Sequence, residues 1–289
     1  ARQEQENQIR AIRTFIQQNV DYIVFSPKVE TGWDSILQEA KDAGIPVIMI
    51  DRDIEAASGL YTAYIGSDFR EEGEKAVQWL EELLEKQERT NESIRIVHIQ
   101  GTMDSSAQIG RTTALEKAVQ RNAKWTIVAQ QDGDFTRAKA YEVMGAILKR
   151  TKDIDVVYCE NDGEALGAID AMEEAGLKCN AEDGVIVISF DATRLGLEYC
   201  LQGKIALDVE CNPLQGPYVE EIIQRLERGD CCRRSAGWPA GDRHPLVGRA
   251  ARRSHPAHRG RRILRFFRVC GWGSIDGCGL SPHRLAGDG

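Results

Sequence analysis

The sequence has no run of about 18 apolar residues, which excludes a helix long enough to cross a membrane. Histidine is scarce, and His98 is the only one before residue 230, so no Ser-His-Asp set can be assembled there. Neither GxGxxG nor GxxxxGK followed by Ser or Thr occurs, so the common phosphate-binding loops are absent. These absences argue against a hydrolase and against a nucleotide-binding enzyme.

Length and composition set the scale of the fold. With 289 residues, 42% of them hydrophobic, the chain can bury one large core or two modest ones, and its length favours two. It opens on the polar segment ARQEQENQIR, without a charged and then apolar leader. We therefore expect either that a signal was removed or that the start is missing.

The net charge of −8 is an average over two unlike segments. Residues 231–289 hold 12 Arg, no Lys and 3 Asp, a net charge of +9, so residues 1–230 carry −17. An acidic body is a poor partner for nucleic acid or anionic lipid. The last segment also lacks Glu, Asn, Gln, Thr, Tyr and Met, unlike an ordinary domain.

Two interpretations of residues 231–289 are open. One is a basic arm that binds nucleic acid or a metal, since the segment contains Cys and His. The other is a GC-rich gene translated in the wrong frame. Neither CxxC nor HxxxH spacing occurs, which favours the second interpretation, an out-of-frame or disordered Arg-rich tail without an evolved function.

Before residue 230, apolar strands alternate with helical segments. DYIVFSP, PVIMI, IRIVHIQG, DVVYCE and GVIVISF have the apolar runs of buried strands, and apolar residues at helical spacing follow them. This alternation predicts an α/β fold with parallel sheets covered on both faces. Ligands of such sheets bind at the carboxyl ends of the strands.

Polar residues stand at the carboxyl end of almost every predicted strand. They are Ser26-Pro27, Asp51-Arg52, Ser67-Asp68, Gln100-Gly101, Gln131 to Phe135, Asn161-Asp162, Asp191 and Glu210-Cys211-Asn212. Hydrogen-bond donors and acceptors are mixed along this edge. The mixture suits a neutral polyhydroxylated ligand, because each hydroxyl both donates and accepts.

The same residues also have structural interpretations. Asp134 and Asp191 could each cap the helix that follows, a common use of Asp. Arg52 could pair with Asp51 or with a surface acid, and Arg111 could be an exposed helix residue, as most arginines are. Their shared position at one edge of the predicted sheets favours a ligand site.

Catalytic, cofactor and metal sites are not indicated. His98 lies inside the strand IRIVHIQ, where a packed core residue is expected. The cysteines of the organised chain show no metal spacing, and one or two of them fit ordinary small apolar residues; they are Cys159, Cys179, Cys200 and Cys211. We expect a binding protein rather than an enzyme.

Seven segments, taken in order, resemble one family. They are TGWDSILQEAKDAGIPVIMIDR, IGSDF, IQGT with SSAQIGR, GDFTRAKAYEVM, ENDGEALGAIDAMEEAGL, ISFDAT and QGKIALDVECNP. They are similar to the type I periplasmic sugar-binding proteins of ABC transporters, closest to the galactofuranose-binding branch and next to the ribose-binding branch. The resemblance covers about residues 3–230.

The resemblance implies two doubly wound parallel-sheet lobes, joined by a three-crossing hinge and closing on one monosaccharide. Residues 1–66 would form the first lobe, incomplete because the family's N-terminal strands are missing. Residues 67–211 would form the second lobe, and residues 212–230 would return to the first. Residues 231–289 would be the tail.

The resemblance also implies ligand contacts at matching positions. Asp51 and Arg52 would be the first-lobe pair, since an adjacent carboxylate and guanidinium can bracket two neighbouring hydroxyls. Arg111, Asn161 and Asp191 would supply polar contacts from the second lobe.

Apolar contacts and hinge contacts complete the expected site. Phe135 and Phe190 would lie against the sugar ring, and Glu210 and Cys211 stand at a hinge crossing where the ribose branch has an amide. Two further candidates at first-lobe strand ends are Ser26 and Ser67.

The implied partner is the permease of an ABC transporter, and the implied protein is a monomer, periplasmic or extracellular and lipid-anchored, that binds no nucleic acid. Two other functions use this fold: the effector-binding core of a lac-repressor-like transcription regulator, and the sugar-sensing input domain of a receptor. A helix-turn-helix upstream would identify the first, and a membrane segment downstream would identify the second. The segment TGW before EAKDAGIPVIMIDR fits the transporter branch better.

Overall fold

The computed structural model describes residues 4–57 and 59–229, which form helices and strands in alternation; the predicted tail lies outside these residues. The elements are α1 (Gln5–Gln17), β1 (Ile23–Phe25), α2 (Asp34–Asp42), β2 (Val47–Asp51), β3 (Ala63–Gly66), α3 (Phe69–Lys86), β4 (Ile94–Gln100), α4 (Ser106–Arg121), β5 (Trp125–Asp132), α5 (Arg137–Leu148), β6 (Val156–Cys159), α6 (Asp162–Glu174), β7 (Ile186–Asp191), α7 (Arg194–Leu201), β8 (Leu207–Glu210) and α8 (Gly216–Glu227). Within the described ranges, no helix combines the length and apolar character needed to span a membrane.

The first sheet has the order β1-β2-β3 and carries helices on both faces. Helices cover both faces because successive side chains of β2 point to opposite faces of the sheet. Val47 and Met49 pack with Ile12 of α1 and with α2. Ile48 points the other way, toward Ile222 of α8. All its strand pairs are parallel, as the sequence predicted.

The second sheet has the order β5-β4-β6-β7-β8 and is also parallel throughout. Val156 and Tyr158 of β6 pack on the side of α3 and α4, whereas Val157 and Cys159 pack on the side of α5 and α6. Both faces of β6 are therefore buried, which is why its sequence is a continuous apolar run. The predicted α/β fold class is confirmed.

The chain passes between the two sheets twice within the described residues. After Gly66 it leaves the first sheet and enters α3, and after β8 it returns through residues 211–215 to α8, which packs on β3. We call α1, β1, α2, β2, β3 and α8 the first lobe, and α3 to β8 the second lobe. The predicted third crossing is not among the described residues, and the lobe boundaries remain a prediction.

Candidate functional site

Seven of the eleven predicted ligand residues line one cavity between the lobes. The cavity has a volume of about 150 Å³ and is lined by Asp51, Arg52, Phe69, Ala107, Arg111, Phe135, Asn161, Asp191 and Cys211. It lies at the carboxyl ends of β2, β7 and β8, where ligands of parallel sheets bind. The predicted residues that do not line it are Ser26, Ser67, Phe190 and Glu210.

Asp51 and Arg52 stand together where β2 ends. Asp51 has a left-handed backbone, with φ of 66°. Its Oδ2 accepts a hydrogen bond from Ser26 Oγ at 3.1 Å and lies 3.8 Å from Arg52 Nε. Arg52 Nη1 donates to the carbonyl of Lys28 at 3.1 Å. Ser26 therefore orients Asp51 from outside the cavity.

Arg52 reaches across the cavity to Phe135 of the second lobe. Its guanidinium carbon lies 5.2 Å from the centre of the Phe135 ring, within the range of a cation–π contact. The ring also lies against Gly101, where a Cβ would come within 2.0 Å of the ring. Only glycine fits there. Burial lowers the pKa of Arg52, although Asp51 opposes this.

The backbone around Phe135 is held by polar groups of α6. Asp134 and Phe135 have φ of 51° and 56°, in the left-handed region that non-glycine residues seldom adopt. The Phe135 N–H donates to Glu164 Oε1 at 2.9 Å, and Asn161 Nδ2 donates to the Phe135 carbonyl at 3.2 Å. Asn161 Oδ1 also caps α6. These bonds hold the Phe135 backbone at the cavity.

Asp134 and Asp191 do not cap helices, so that interpretation of both residues is wrong. The cap of α5 is Thr136 and the cap of α7 is Thr193, each of which accepts a backbone N–H three residues on. Asp134 Oδ1 instead accepts a hydrogen bond from Thr102 Oγ1 at 2.8 Å. Asp191 lines the cavity.

Arg111 is buried, so its interpretation as an exposed helix residue is wrong. It is 2% exposed and donates from Nε and Nη2 to Glu72 Oε2, at 3.1 and 2.8 Å. Nη2 also donates to Asp191 Oδ1 at 3.3 Å, and Nη1 donates to the carbonyl of Glu160. Burial opposes the charge, but Glu72 and Asp191 together raise the pKa of Arg111.

Two aromatic rings enclose the Arg111 guanidinium. Its central carbon lies 5.3 Å from the ring centre of Phe69 and 4.7 Å from that of Phe190. Phe190 is fully buried, and its ring packs edge-on against Tyr158 at 5.3 Å. The structure therefore places Phe190 beneath Arg111 rather than at the cavity surface. Phe69 lines the cavity instead.

Asp191 ends β7 with φ of 102°. Burial raises the pKa of its carboxyl to about 7; Arg111 opposes the rise, and the nearby acids Asp162, Glu72 and Asp51 add to it. Its side chain remains 32% exposed. Asp191 is thus a carboxyl group at the cavity whose charge changes near neutral pH.

The predicted hinge residues Glu210 and Cys211 are neighbours in the chain but differ in their exposure and contacts. Cys211 Sγ is 3.5 Å from Ser67 Oγ, so the two chain crossings touch here. Burial raises the pKa of the Cys211 thiol to about 12. Glu210 pairs with Asp191 across β7 and β8 but is exposed. Of the two predicted hinge residues, Cys211 lines the cavity and Glu210 does not.

The sequence-based prediction omits Phe69 and Glu72. A signal was present, because the buried residues of α3 recur at helical spacing and Glu72 falls among them, between Phe69 and Ala76. A carboxylate on an apolar helix face needs a buried partner. That partner is Arg111, which lies on another helix.

His98 and three of the cysteines occupy buried positions. His98 is fully buried in β4, and its Nε2 lies 2.9 Å from Glu160 Oε1, so it is a core residue. Cys159, Cys179 and Cys200 are buried and form no disulfide within the described residues. Over residues 4–57 and 59–229, no group of three or more His, Cys, Asp or Glu could hold a metal ion.

Comparison with known families decides the family. Residues 1–218 match the periplasmic binding protein domain. The chain belongs to this family. A periplasmic binding protein holds a solute without transforming it, so the chain is a binding protein and not an enzyme.

Three similar proteins extend the comparison. The galactofuranose-binding protein YtfQ of Escherichia coli (strain K12) is 37% identical over 232 residues, which are 78% of this chain and 71% of that protein. A crystal structure from Mycobacterium smegmatis in complex with beta-D-fucofuranose is 43% identical, with a TM-score of 0.74, and the match covers 78% of this chain and 73% of that one. The periplasmic binding protein component of the arabinose ABC transporter from Shewanella sp. ANA-3, bound to alpha- and beta-L-arabinofuranose, is 36% identical, with a TM-score of 0.73. That match covers 82% of this chain and 75% of the other.

These similarities favour a periplasmic binding protein of an import system over a transcription regulator or a receptor input domain. They do not test which side chains hold the ligand. The ligand contacts of this periplasmic binding protein therefore remain a prediction.

Proposed function

We propose that this protein binds one monosaccharide, in a furanose form, in the cavity between its lobes. The observation that carries the proposal is the lining of that cavity, which combines two acids, two arginines, an amide and aromatic rings. The three similar proteins described above support it, since each is named for or bound to a furanose sugar or arabinose.

The charges at the cavity favour a neutral ligand. Asp51 and Asp191 are matched by Arg52 and Arg111, so neither sign is in excess. Each carboxylate accepts hydroxyl hydrogens and each guanidinium donates, which lets the pairs bracket neighbouring hydroxyls of a sugar. A wrong epimer would leave a buried charged group without a partner, and this penalty provides selectivity.

The ring of Phe135 would cover the apolar face of the sugar. Phe135 is half-buried, it lies three residues after the end of β5, and its backbone is held by Glu164 and Asn161. A ring fixed in this way loses little entropy on binding. Arg52, whose guanidinium carbon lies 5.2 Å from the centre of the same ring, would contact the ligand beside the ring.

The wider role follows from the family. We propose that the first lobe comprises residues 1–66 and 212–230 and the second lobe residues 67–211, that the lobes close on the sugar, and that the closed form delivers it to an ABC transporter permease. The protein would act as a monomer outside the cytoplasmic membrane and bind no nucleic acid. The two chain crossings support hinge closure, since few residues connect the lobes there.

Isothermal titration calorimetry on the purified chain tests the proposal. L-Arabinose, D-galactose, D-fucose and D-ribose all include furanose forms in solution and serve as probes. We expect at least one to bind at a single site and to be recovered unchanged. Absence of heat with every sugar, or chemical conversion of any of them, would contradict the proposal.

Phe135→Ala separates a ligand contact from a core residue. We expect it to weaken sugar affinity about tenfold, the loss expected for an aromatic contact of roughly 1 kcal/mol or more, and to change the melting temperature of the ligand-free protein little. Phe15→Ala is the matched control, since Phe15 is an exposed Phe on α1 away from the cavity. A large loss of ligand-free stability with unchanged affinity would make Phe135 a core residue.

A further inference from the structure

A buried carboxylate lies behind the cavity and is not among the expected ligand contacts. Glu72 belongs to α3 and is 5% exposed. The next residue, Gly73, lets α3 approach α4 closely: a Cβ there would lie 2.6 Å from the Cβ of Ala114 and 3.1 Å from the Cα of Arg111. The close packing of these helices brings Glu72 beside Arg111.

Arg111 directs its shorter carboxylate contacts to Glu72. Nη2 and Nε reach Glu72 Oε2 at 2.8 and 3.1 Å, whereas Asp191 Oδ1 receives Nη2 at 3.3 Å. Nη1 donates to the carbonyl of Glu160. Within the described part of the chain, these bonds use all but one of the guanidinium N–H donors. One N–H of Arg111 therefore remains for a ligand.

Exposure separates the two carboxylates that share Arg111. The Glu72 side chain is 6% exposed and the Asp191 side chain is 32% exposed. The interior acid takes the shorter bonds, so the acid at the cavity keeps capacity to accept other hydrogens. If Glu72 were neutral, Asp191 would be the remaining carboxylate on the guanidinium and would be drawn toward it.

We propose that Glu72 is a positioning residue of the sugar site, an inference that rests on the proposed function. It holds the Arg111 guanidinium from behind, so that Asp191 and one Arg111 N–H stay available for sugar hydroxyls. Glu72 does not line the cavity and acts through Arg111.

Glu72 also connects the site to the chain crossings. Ser67 follows β3, Cys211 follows β8, and their side chains meet at 3.5 Å. Burial raises the pKa of Glu72, and Arg111, Ser67 and Cys211 oppose this rise. Ser67 and Cys211, one at each crossing, therefore favour the charged form of Glu72.

The proposal makes the pH dependence of binding a diagnostic readout. Burial raises the pKa of Asp191 to about 7, and Glu72 contributes to the rise as a like charge. The charged and titratable groups around Asp191 are Arg111, Glu72, Arg52, Asp51, Asp162, Asp208 and Cys211. Removing the charge of Glu72 removes that repulsion and should lower the pKa of Asp191, whereas a change in fold stability alone would leave the pKa of Asp191 unchanged.

The experiment compares Glu72→Gln with wild type by calorimetry, using the sugar from the panel that binds wild type, over a series of pH values. We expect wild-type affinity to rise with pH as Asp191 ionises. We expect E72Q to bind about tenfold more weakly at high pH, the loss of roughly one charge-assisted hydrogen bond. Its pH midpoint should lie below that of wild type.

Glu71→Gln is the matched control, because Glu71 is exposed on the same helix and forms an ion pair with Lys75 at 2.7 Å. It should bind as wild type does at every pH. If E72Q does not fold, Glu72→Asp replaces it: the shorter carboxylate draws the guanidinium away from Asp191, so affinity should fall while the pH midpoint stays near that of wild type.

The outcomes separate the two proposals. An E72Q variant that binds with wild-type affinity and midpoint, or an E72D variant with wild-type affinity, overturns the role of Glu72 and leaves the sugar site standing. If wild type binds none of the sugars, the proposed function and this inference both fall.

Discussion

Asp191 combines three features at one residue: a left-handed backbone, partial burial, and a guanidinium shared with a second acid. Burial disfavours its ionised form, and Asp162, Glu72 and Asp51 add like-charge repulsion. Such an arrangement costs stability in the ligand-free protein. It supplies a strong acceptor when sugar hydroxyls arrive, which is the usual compromise between stability and function.

Asp191→Asn is expected to raise the melting temperature of the ligand-free protein at about pH 8 and to raise it much less at about pH 5. The pKa of Asp191 is raised from 3.8 to about 7, so the folded protein retains a proton that the unfolded chain releases. The free energy of unfolding therefore falls as pH rises through that window, and asparagine does not titrate. Differential scanning fluorimetry at the two pH values measures the effect.

Asp183→Asn provides the control with the opposite sign. Lys178 and Asn180 lower the pKa of Asp183, so its charge stabilises the folded protein, and the substitution should not raise the melting temperature at any pH. An Asp191→Asn variant that is less stable than wild type at high pH would show that burial does not destabilise the charge of Asp191.

At the scale of elements, the segment that leads into α4 caps that helix and also forms hydrogen bonds to the first lobe. Ser105 Oγ caps the helix by accepting the N–H of Gln108. Ser106 Oγ accepts the N–H of Asp53 at 2.9 Å, and the carbonyl of Asp104 accepts the N–H of Glu30 at 2.8 Å. These last two bonds join the second lobe to the first without any contribution from a ligand.

Ser106→Ala is expected to weaken the affinity for every bound sugar by the same factor, about threefold to tenfold, because it removes one hydrogen bond that favours the closed arrangement. The ligand-free melting temperature should change little. Ser105→Ala should do the reverse, lowering the free energy of unfolding by about 1 kcal/mol through loss of the cap while affinity stays unchanged. Calorimetry with two sugars and thermal unfolding measure both.

A loss of affinity that differs between sugars would show instead that Ser106 contacts the ligand.

At the scale of the molecule, contacts between the two lobes of the described chain include the cavity residues, the two crossings and the bonds of Ser106 and Asp104. Each lobe has its own buried clusters on both faces of its own sheet. The lobes can therefore move relative to one another without disturbing either core. A ligand that contacts both lobes stabilises the closed arrangement by its differential affinity for that form.

We expect saturating sugar to reduce the radius of gyration in small-angle X-ray scattering and to raise thermal stability. At a ligand concentration of one hundred times Kd the gain in the free energy of unfolding should be about 2.7 kcal/mol. A sugar that gives no heat in calorimetry is the control and should change neither quantity. An unchanged radius of gyration with a bound sugar would argue against closure.

Much of the fold was predictable because its determinants are local. Apolar runs such as PVIMI and helical spacing such as that of α3 follow from nearest neighbours along the chain, and their alternation implies parallel sheets. The strand-end rule then places Asp51 and Arg52 at the carboxyl edge of the first sheet and Asp191 at that of the second. The hydrophobic periodicity of the sequence by itself determined the strands, the helices and the residues at the strand ends.

Only the tertiary structure determined how deeply the site's side chains are buried and which partners they contact. The burial of Arg111 and its pairing with Glu72 depend on how closely α3 and α4 approach, which Gly73 and Ala114 set across two helices. Phe190 lies under Arg111, not beside the cavity, for the same reason. No spacing along the chain encodes such distances, because they arise from contacts between residues far apart in sequence.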